Sequence, residues 1–322
     1  MSSVLVTGAA GFLGSHVAEA LVARGERVTG LDNFDAFFDR AVKERNLAGL
    51  RAQSSFTLTE GDIRDRALVD SLLGPDTTIV HLAARAGVRP SLEDPELYAS
   101  VNVGGTATLL EAARAGGVRS VVFAGSSSVY GDTAPVPFSE SWPAVEPISP
   151  YAATKRAAEL LCGTFVHLYG MRIISLRFFT AYGPRQRPDL AIHKFTRLIA
   201  SGKPVTCYGD GATERDYTYV DDIVAGVLAA VDWARRPGAG FETVNLGESR
   251  TTRLDRLIAL IGAAMGRTPT VERLPPQPGD VRRTCADIAK ARALLGYAPT
   301  TVVEDGIPRF VRWYEDTYGR QT

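Results

Sequence analysis

Residues 4–21 read VLVTGAAGFLGSHVAEAL. Four apolar or β-branched residues run into three glycines spaced by threes, Gly8, Gly11 and Gly14, and then into apolar residues that recur at three and four. That order predicts a strand, a tight turn and a helix. In such a turn the first glycine permits a sharp reversal, the second lets a pyrophosphate approach the backbone, and the third lets the helix lie close on the sheet. The helix start adds amides and a positive dipole end.

Asp32 closes the next β-branched run, RVTGLD, where an acid meets the adenosine ribose hydroxyls of a dinucleotide. A carboxylate there repels a 2′-phosphate, so the expected cofactor is NAD rather than NADP. Two further strand ends suit the same ligand. EGDIRD offers Asp62 and Ile63 near an adenine, although Asp62 also reads as an ordinary turn acid, and VHLAA offers the small Ala83 and Ala84 along the dinucleotide.

Strand-like runs continue outward as SFTLTEGD, TTIVHLA, RSVVFAGS and MRIISLRFF, alternating with helical patterns such as TATLLEAARAGG. This rhythm predicts an α/β fold: a Rossmann-like doubly wound parallel sheet over residues 1–180. Past about residue 180 the loops lengthen and fill with Pro, Arg and Gly, with helices expected near 190–201, 221–236, 254–266, 287–295 and 303–318. Residues 181–322 are therefore expected to form mainly a smaller α/β substrate-binding lobe, with interleaving segments allowed. A ligand cleft belongs at the carboxyl ends of the strands.

Thirty-six basic and thirty-six acidic side chains balance in the 322 residues, and neither sign forms a block, so no nucleic acid and no anionic membrane is implied as partner. No apolar run reaches the roughly 18 residues of a membrane helix. The three cysteines, Cys162, Cys207 and Cys285, lack metal spacing or a disulfide framework, and the N-terminus lacks a signal-peptide pattern; a cytoplasmic protein is expected. His16, His81, His167 and His193 are scattered, so no metal site is expected.

The chemistry is predicted from two stretches, GSSSVYG at 125–131 and SPYAATK at 149–155. A tyrosine of ordinary pKa, near 10, is a poor base at neutral pH. Lys155 lies one helical turn beyond Tyr151, on the same face, where its charge favours the phenolate. Ser149 can cap that helix and Pro150 suits its first turn. A serine hydroxyl from the first stretch then completes a general acid/base set for oxidising an alcohol as its hydride leaves.

These motifs, together with TGAAGFLG, HLAA, VNVGGTATLLEAA, RFFTAYGPRQRPD, YGDGATERDYTYVDDI and PGDVRRTCADIAKA, resemble the extended short-chain dehydrogenase/reductases that act on nucleotide sugars. The resemblance runs nearly end to end. It implies Tyr151 as base, Lys155 as its partner on the nicotinamide ribose and Ser126 as the hydroxyl at the reacting centre. It also extends the cofactor contacts to Phe12, Leu13, Asn33, Leu82 and Asn102.

Members that dehydrate a sugar carry acids in the three positions before VYG, and the decarboxylases carry a Glu in the third; here stand Ser126, Ser127 and Ser128. Their hydroxyls suit a C5 carboxylate held in an unreactive orientation, although Ser127 and Ser128 also read as turn residues serving nearby backbone. Thr180, RAGVRPS with Arg89, and GPRQRPD with Arg185 resemble the members that epimerise UDP-glucuronate at C4. The alternative is a 4-epimerase for UDP-glucose or UDP-N-acetylglucosamine; a decarboxylase, a 4,6-dehydratase and a non-catalytic NAD sensor stand further off.

Arg185 alternatively reads as a surface arginine. Arg215 is implied at the diphosphate, or else in a salt bridge to Asp221 or Asp222, and Asp280 near the nucleotide. Gln277 replaces a usual arginine, with Arg282 or Arg283 as compensation. Phe178 and Phe179 read as core or as a wall beside the nicotinamide. The family pattern implies a homodimer through two helices per subunit, from 97–115 and 150–168.

Overall fold

The computed structural model describes residues 3–37, 39–275 and 282–319. Seven parallel strands form the main sheet: β1 (Ser3–Thr7), β2 (Arg27–Asp32), β3 (Phe56–Glu60), β4 (Thr77–His81), β5 (Ser120–Ser126), β6 (Arg172–Phe178) and a last strand, Gly240–Leu246. Their spatial order is Gly240–Leu246, β6, β5, β4, β1, β2, β3. The order reverses between β1 and β4, the point at which open parallel sheets take ligands beyond the carboxyl ends of their strands. Every residue of β4 is buried, as a parallel strand covered on both faces must be.

Helix α1 (Phe12–Ala23) follows the glycine turn directly. The turn depends on two glycines. Gly8 has φ +73°, and a Cβ there would meet the Ala83 backbone at 2.9 Å; at Gly14 a Cβ would lie 1.9 Å from the Gly8 carbonyl oxygen. Both contacts are with backbone that cannot yield, so α1 is held hard against the strand ends.

Part of the chain beyond residue 180 returns to the main sheet. After β6 the chain leaves the sheet, pairs Thr180–Tyr182 with Tyr217–Tyr219, and returns through the helix Val220–Ala234 and the strand Gly240–Leu246, which pairs with β6. A separate apolar core beyond the sheet gathers Ile192, Phe195, Ile199, Leu257, Ile261, Ile307 and Phe310 from helices Ala191–Ala200, Leu254–Ala264 and Val303–Tyr318. These three helices, Val220–Ala234 and Ala289–Leu295 fall within a few residues of the expected spans. Gly240–Leu246 carries no strand signal of its own, because GFETVNL offers only a short mixed run without strict alternation.

Among the described residues no helix is long and apolar enough to cross a membrane, and no group of three or more His, Cys, Asp or Glu side chains is placed to hold a metal.

Candidate active site

The glycine turn ends at Gly11, which precedes α1 without any side-chain cap, so the first amides of the helix are left for an outside anion. Asp32 is buried at the end of β2. Its Oδ2 accepts from the Ala10 amide at 3.0 Å, and its Oδ1 accepts from the Phe34 amide and from Lys43 Nζ, both at 2.9 Å. A carboxylate offers about four lone-pair sites, so acceptor capacity remains for a ribose hydroxyl. Lys43 escaped sequence reading because it lies eleven residues on, in a helix of ordinary surface composition.

Asn33 donates to Asp62 Oδ2 at 3.0 Å, and Arg64 grips the same carboxylate through Nε at 2.9 Å and Nη2 at 2.8 Å. That grip holds the Asp62 carboxyl down at about 2. Ile63 is buried against Gly105, and forms apolar wall. Leu82, Ala83 and Ala84 follow β4 half-buried, with the Ala83 amide donating to Thr7 Oγ1 at 3.1 Å. Phe12 is buried against His16, and Leu13 beside it is half-buried. Asn102 sits in a π-helical turn, Ala99–Gly105, and makes three hydrogen bonds: Oδ1 accepts from the Arg85 amide at 2.8 Å, while Nδ2 donates to the Arg85 carbonyl and to Thr154 Oγ1, each at 3.0 Å. It pins the loop after β4 to the Pro150–Tyr169 helix.

That helix opens as its sequence predicts, with the Ser149 side chain accepting from the Ala152 amide and Pro150 in the first turn. Tyr151 and Lys155 project from one face. The Ser126 hydroxyl, at the carboxyl end of β5, hydrogen-bonds the Tyr151 phenol and accepts from the Ser128 amide at 3.2 Å. Burial pushes the Tyr151 phenol above its ordinary range, opposed by the Ser126 hydrogen bond and the charge of Arg187. Burial also pulls the Lys155 ammonium down to about 8, against the charge of the Glu159 carboxylate. Lys155 Nζ stands 5.1 Å from the centroid of the Phe123 ring. His81 is locked neutral between Thr7 and Thr106, its imidazole driven down to about 3 by burial and by Lys155.

Ser127 and Ser128 are half-buried on a short 3-10 turn, Ser127–Tyr130, beside Ser126. Thr180 is half-buried just beyond β6, its amide donating to the Asp216 carbonyl at 3.1 Å. Of the two arginines in GPRQRPD, Arg187 is the one whose charge reaches Tyr151. Arg185, with φ +66°, turns onto α1, where Nη2 pairs with Glu19 at 2.8 Å and Nη1 donates to Ser15 at 3.3 Å. Arg89 is exposed and its guanidinium lies 5.3 Å from the Tyr208 ring centroid. Arg215 Nη1 donates to the Glu214 carbonyl at 3.0 Å and to the Arg282 carbonyl at 3.4 Å. Asp222 instead accepts from the amides of Thr300 and Thr301. Arg283 pairs with Glu214 at 2.9 Å. Asp280 and Gln277 lie outside the described residues. Phe179 is buried in the core and Phe178 packs at its edge.

This arrangement offers one half-buried tyrosine phenol, one hydroxyl and one buried ammonium at the carboxyl end of β5, in a fold whose first helix starts without a side-chain cap. It suits moving a proton on and off an alcohol whose hydride is exchanged with a dinucleotide.

Residues 4–247 match the NAD dependent epimerase/dehydratase family. A probable UDP-glucuronate 4-epimerase of Rhizobium meliloti is 39% identical, over 98% of each chain. UDP-glucuronate 4-epimerase 1 of Arabidopsis thaliana is 43% identical over 99% of this chain and 78% of its own length. The crystal structure of UDP-glucuronic acid 4-epimerase from Bacillus cereus, in complex with UDP-glucuronic acid and NAD, superposes with a TM-score of 0.92 at 35% identity, covering 98% of this chain and all of that one.

Proposed function

The chain belongs to the NAD dependent epimerase/dehydratase family, and from that premise we propose that it inverts C4 of UDP-glucuronate to give UDP-galacturonate through a transient 4-keto sugar, with NAD retained throughout. The observation that carries this reading is the turn beside Tyr151, which presents Ser126, Ser127 and Ser128 and no carboxylate. Without an acid there, nothing is placed to drive loss of water from the sugar.

The glycine turn takes the pyrophosphate and Asp32 the adenosine ribose. Asn33, Asp62 and Ile63 border the adenine, while Leu82, Ala83, Ala84 and Asn102 line the middle of the dinucleotide, with Phe12 and Leu13 at the helix start. NAD, when bound, takes the C4 hydride and returns it to the opposite face of the ketone, so no net oxidation results. Tyr151 takes the C4 hydroxyl proton as the hydride leaves and gives it back on return. Ser126 donates to the same oxygen, and the Lys155 ammonium, beside the nicotinamide ribose, favours the phenolate.

Oxidation at C4 makes a β-keto acid, which loses CO2 readily when its C5–carboxylate bond stands perpendicular to the ketone plane. Ser127, Ser128 and Thr180 hold the carboxylate away from that orientation by hydrogen bonds, without a buried counter-charge. Arg89 and Arg215 grip the diphosphate, Arg187 steadies the Tyr151 side of the cleft, and Asp280 meets the nucleotide. Residues 1–180 thus carry the cofactor and the acid/base set, and 181–322 mainly the nucleotide sugar. Three unpaired cysteines fit a reducing cytoplasm.

Proton NMR of the purified protein with UDP-glucuronate and no added NAD tests the reading. UDP-galacturonate is expected. A UDP-pentose would make the protein a decarboxylase, and an unchanged spectrum even after NAD addition, followed by turnover of UDP-glucose or UDP-N-acetylglucosamine, would move the substrate to a neutral hexose. We also assign a homodimer through the 97–115 and 150–168 segments; Leu160 and Leu168, 56% and 59% exposed on the second, support it. Light scattering should return twice the mass of one chain, and a monomeric mass refutes the assignment.

A further inference from the structure

Glu159 lies one helical turn beyond Lys155 and two beyond Tyr151, on the same face of the Pro150–Tyr169 helix. It is completely buried. Its Oε1 accepts from Arg177 Nη2 at 2.6 Å, and its Oε2 accepts from Arg177 Nε at 3.1 Å and from Ser175 Oγ at 2.9 Å; Arg156 reaches the carboxylate from the solvent side. Arg177, on β6, is 2% exposed. Its guanidinium lies 4.7 Å from the centroid of the Tyr130 ring, and the Tyr130 hydroxyl donates to Asn245 Oδ1 at 2.7 Å. Tyr130 ends the serine turn. A single buried chain of contacts therefore runs from the helix of Tyr151 and Lys155, through β6, to the turn of Ser126.

A buried ion pair of this kind is weak as a source of stability, because desolvation offsets most of the attraction. Its electrostatic consequence falls on Lys155. Two other titratable groups near that ammonium carry no charge at neutral pH: His81 on β4 is held neutral, and the Cys162 thiol one turn beyond Glu159 is pushed far up by burial; Tyr151 is the group that the ammonium itself serves. Phe123 on β5 brings only a ring face. Glu159 is the fixed negative charge in this surrounding, kept ionised by Arg177, Ser175 and Arg156.

We propose that Glu159 is the positioning residue that keeps the Lys155 ammonium charged, and that Arg177 fixes Glu159 for this purpose while packing the serine turn against the same helix. The inference rests on Tyr151 and Lys155 being the acid/base pair.

The test compares pH profiles of kcat for the wild type, Glu159→Gln, and the double variant Glu159→Gln/Arg177→Met, which removes the whole pair and leaves no unpaired buried charge. Without the carboxylate, Lys155 loses its proton at lower pH. The alkaline limb of kcat should move down by about one pH unit, so that kcat at pH 8 falls about fivefold while kcat at pH 6 stays within about twofold and KM is unchanged. A folded variant whose alkaline limb stays at the wild-type position, including one slowed equally at every pH, overturns the proposal and leaves Glu159 a packing group. If the single variant does not fold, the double variant decides, and its alkaline limb should still move down but by less, because the opposing Arg177 charge is lost with the carboxylate. An inactive wild type would instead refute the acid/base reading itself, so the two failures are distinguishable.

Discussion

Tyr151 starts as a reluctant base. Burial raises its phenol, and the Ser126 hydrogen bond and the charge of Arg187 work against that. The residue is therefore useful only within its set, and removing one hydroxyl should abolish the set while leaving the fold. Tyr151→Phe keeps the ring that meets Tyr98 edge-on at 6.3 Å. We expect kcat to fall by about 10²–10⁴-fold with thermal stability and bound cofactor unchanged, measured by NMR turnover, melting and absorbance of the released dinucleotide. Unchanged turnover would overturn the mechanism. The Tyr151–Lys155 pair was legible because helix periodicity places i and i+4 on one face, and the resemblance alone singled out Ser126 among the three serines, whereas nothing in GPRQRPD distinguishes Arg187 from Arg185. Loop residues two apart carry no periodic signal, and the positive φ at Arg185 decides which one turns onto α1.

At the scale of elements, the glycine turn and α1 act as one rigid part. The strand–turn–helix order could be read directly because three glycine positions and two periodicities agree. Gly14→Ala tests it. The added Cβ would sit 1.9 Å from the Gly8 carbonyl oxygen and 2.7 Å from its carbon, so either α1 lifts from the sheet or the turn opens. Both outcomes move the helix amides off the phosphate position. We expect the variant to bind NAD far more weakly than the wild type and to melt below it, with NAD binding read by calorimetric titration. A variant that binds NAD as tightly as the wild type would remove the pyrophosphate from this turn. The strand Gly240–Leu246 marks the opposite case: it completes the sheet through register with β6, a long-range pairing that its own seven residues do not announce.

Across the whole molecule, buried carboxylates tie the returning segments of the second half together. Asp216 accepts from the amides of Glu248, Ser249 and Ala286, and Asp222 from those of Thr300 and Thr301. Glu248, between them, is 8% exposed, and its Oε2 has no hydrogen-bond partner among the described residues. Such junctions arise only when distant loops meet, so no local pattern predicts them. Burial, with Asp222 and Asp216 adding to it and Arg250 opposing, pushes the Glu248 carboxyl up to about 7 from its ordinary 4.5. A carboxyl raised on folding binds its proton more tightly in the folded state. Its contribution to stability is whole below about pH 4.5 and is lost as pH rises through about 7. Above that, a buried carboxylate with acidic neighbours burdens the fold. Glu248→Gln removes the charge at nearly constant volume. Its melting temperature should exceed the wild type's by a few degrees at pH 8, and the gain should vanish at pH 4. A gain equal at both pH values would locate the effect in packing rather than charge, and a loss at pH 8 would mean that Glu248 is ionised and satisfied in the native protein.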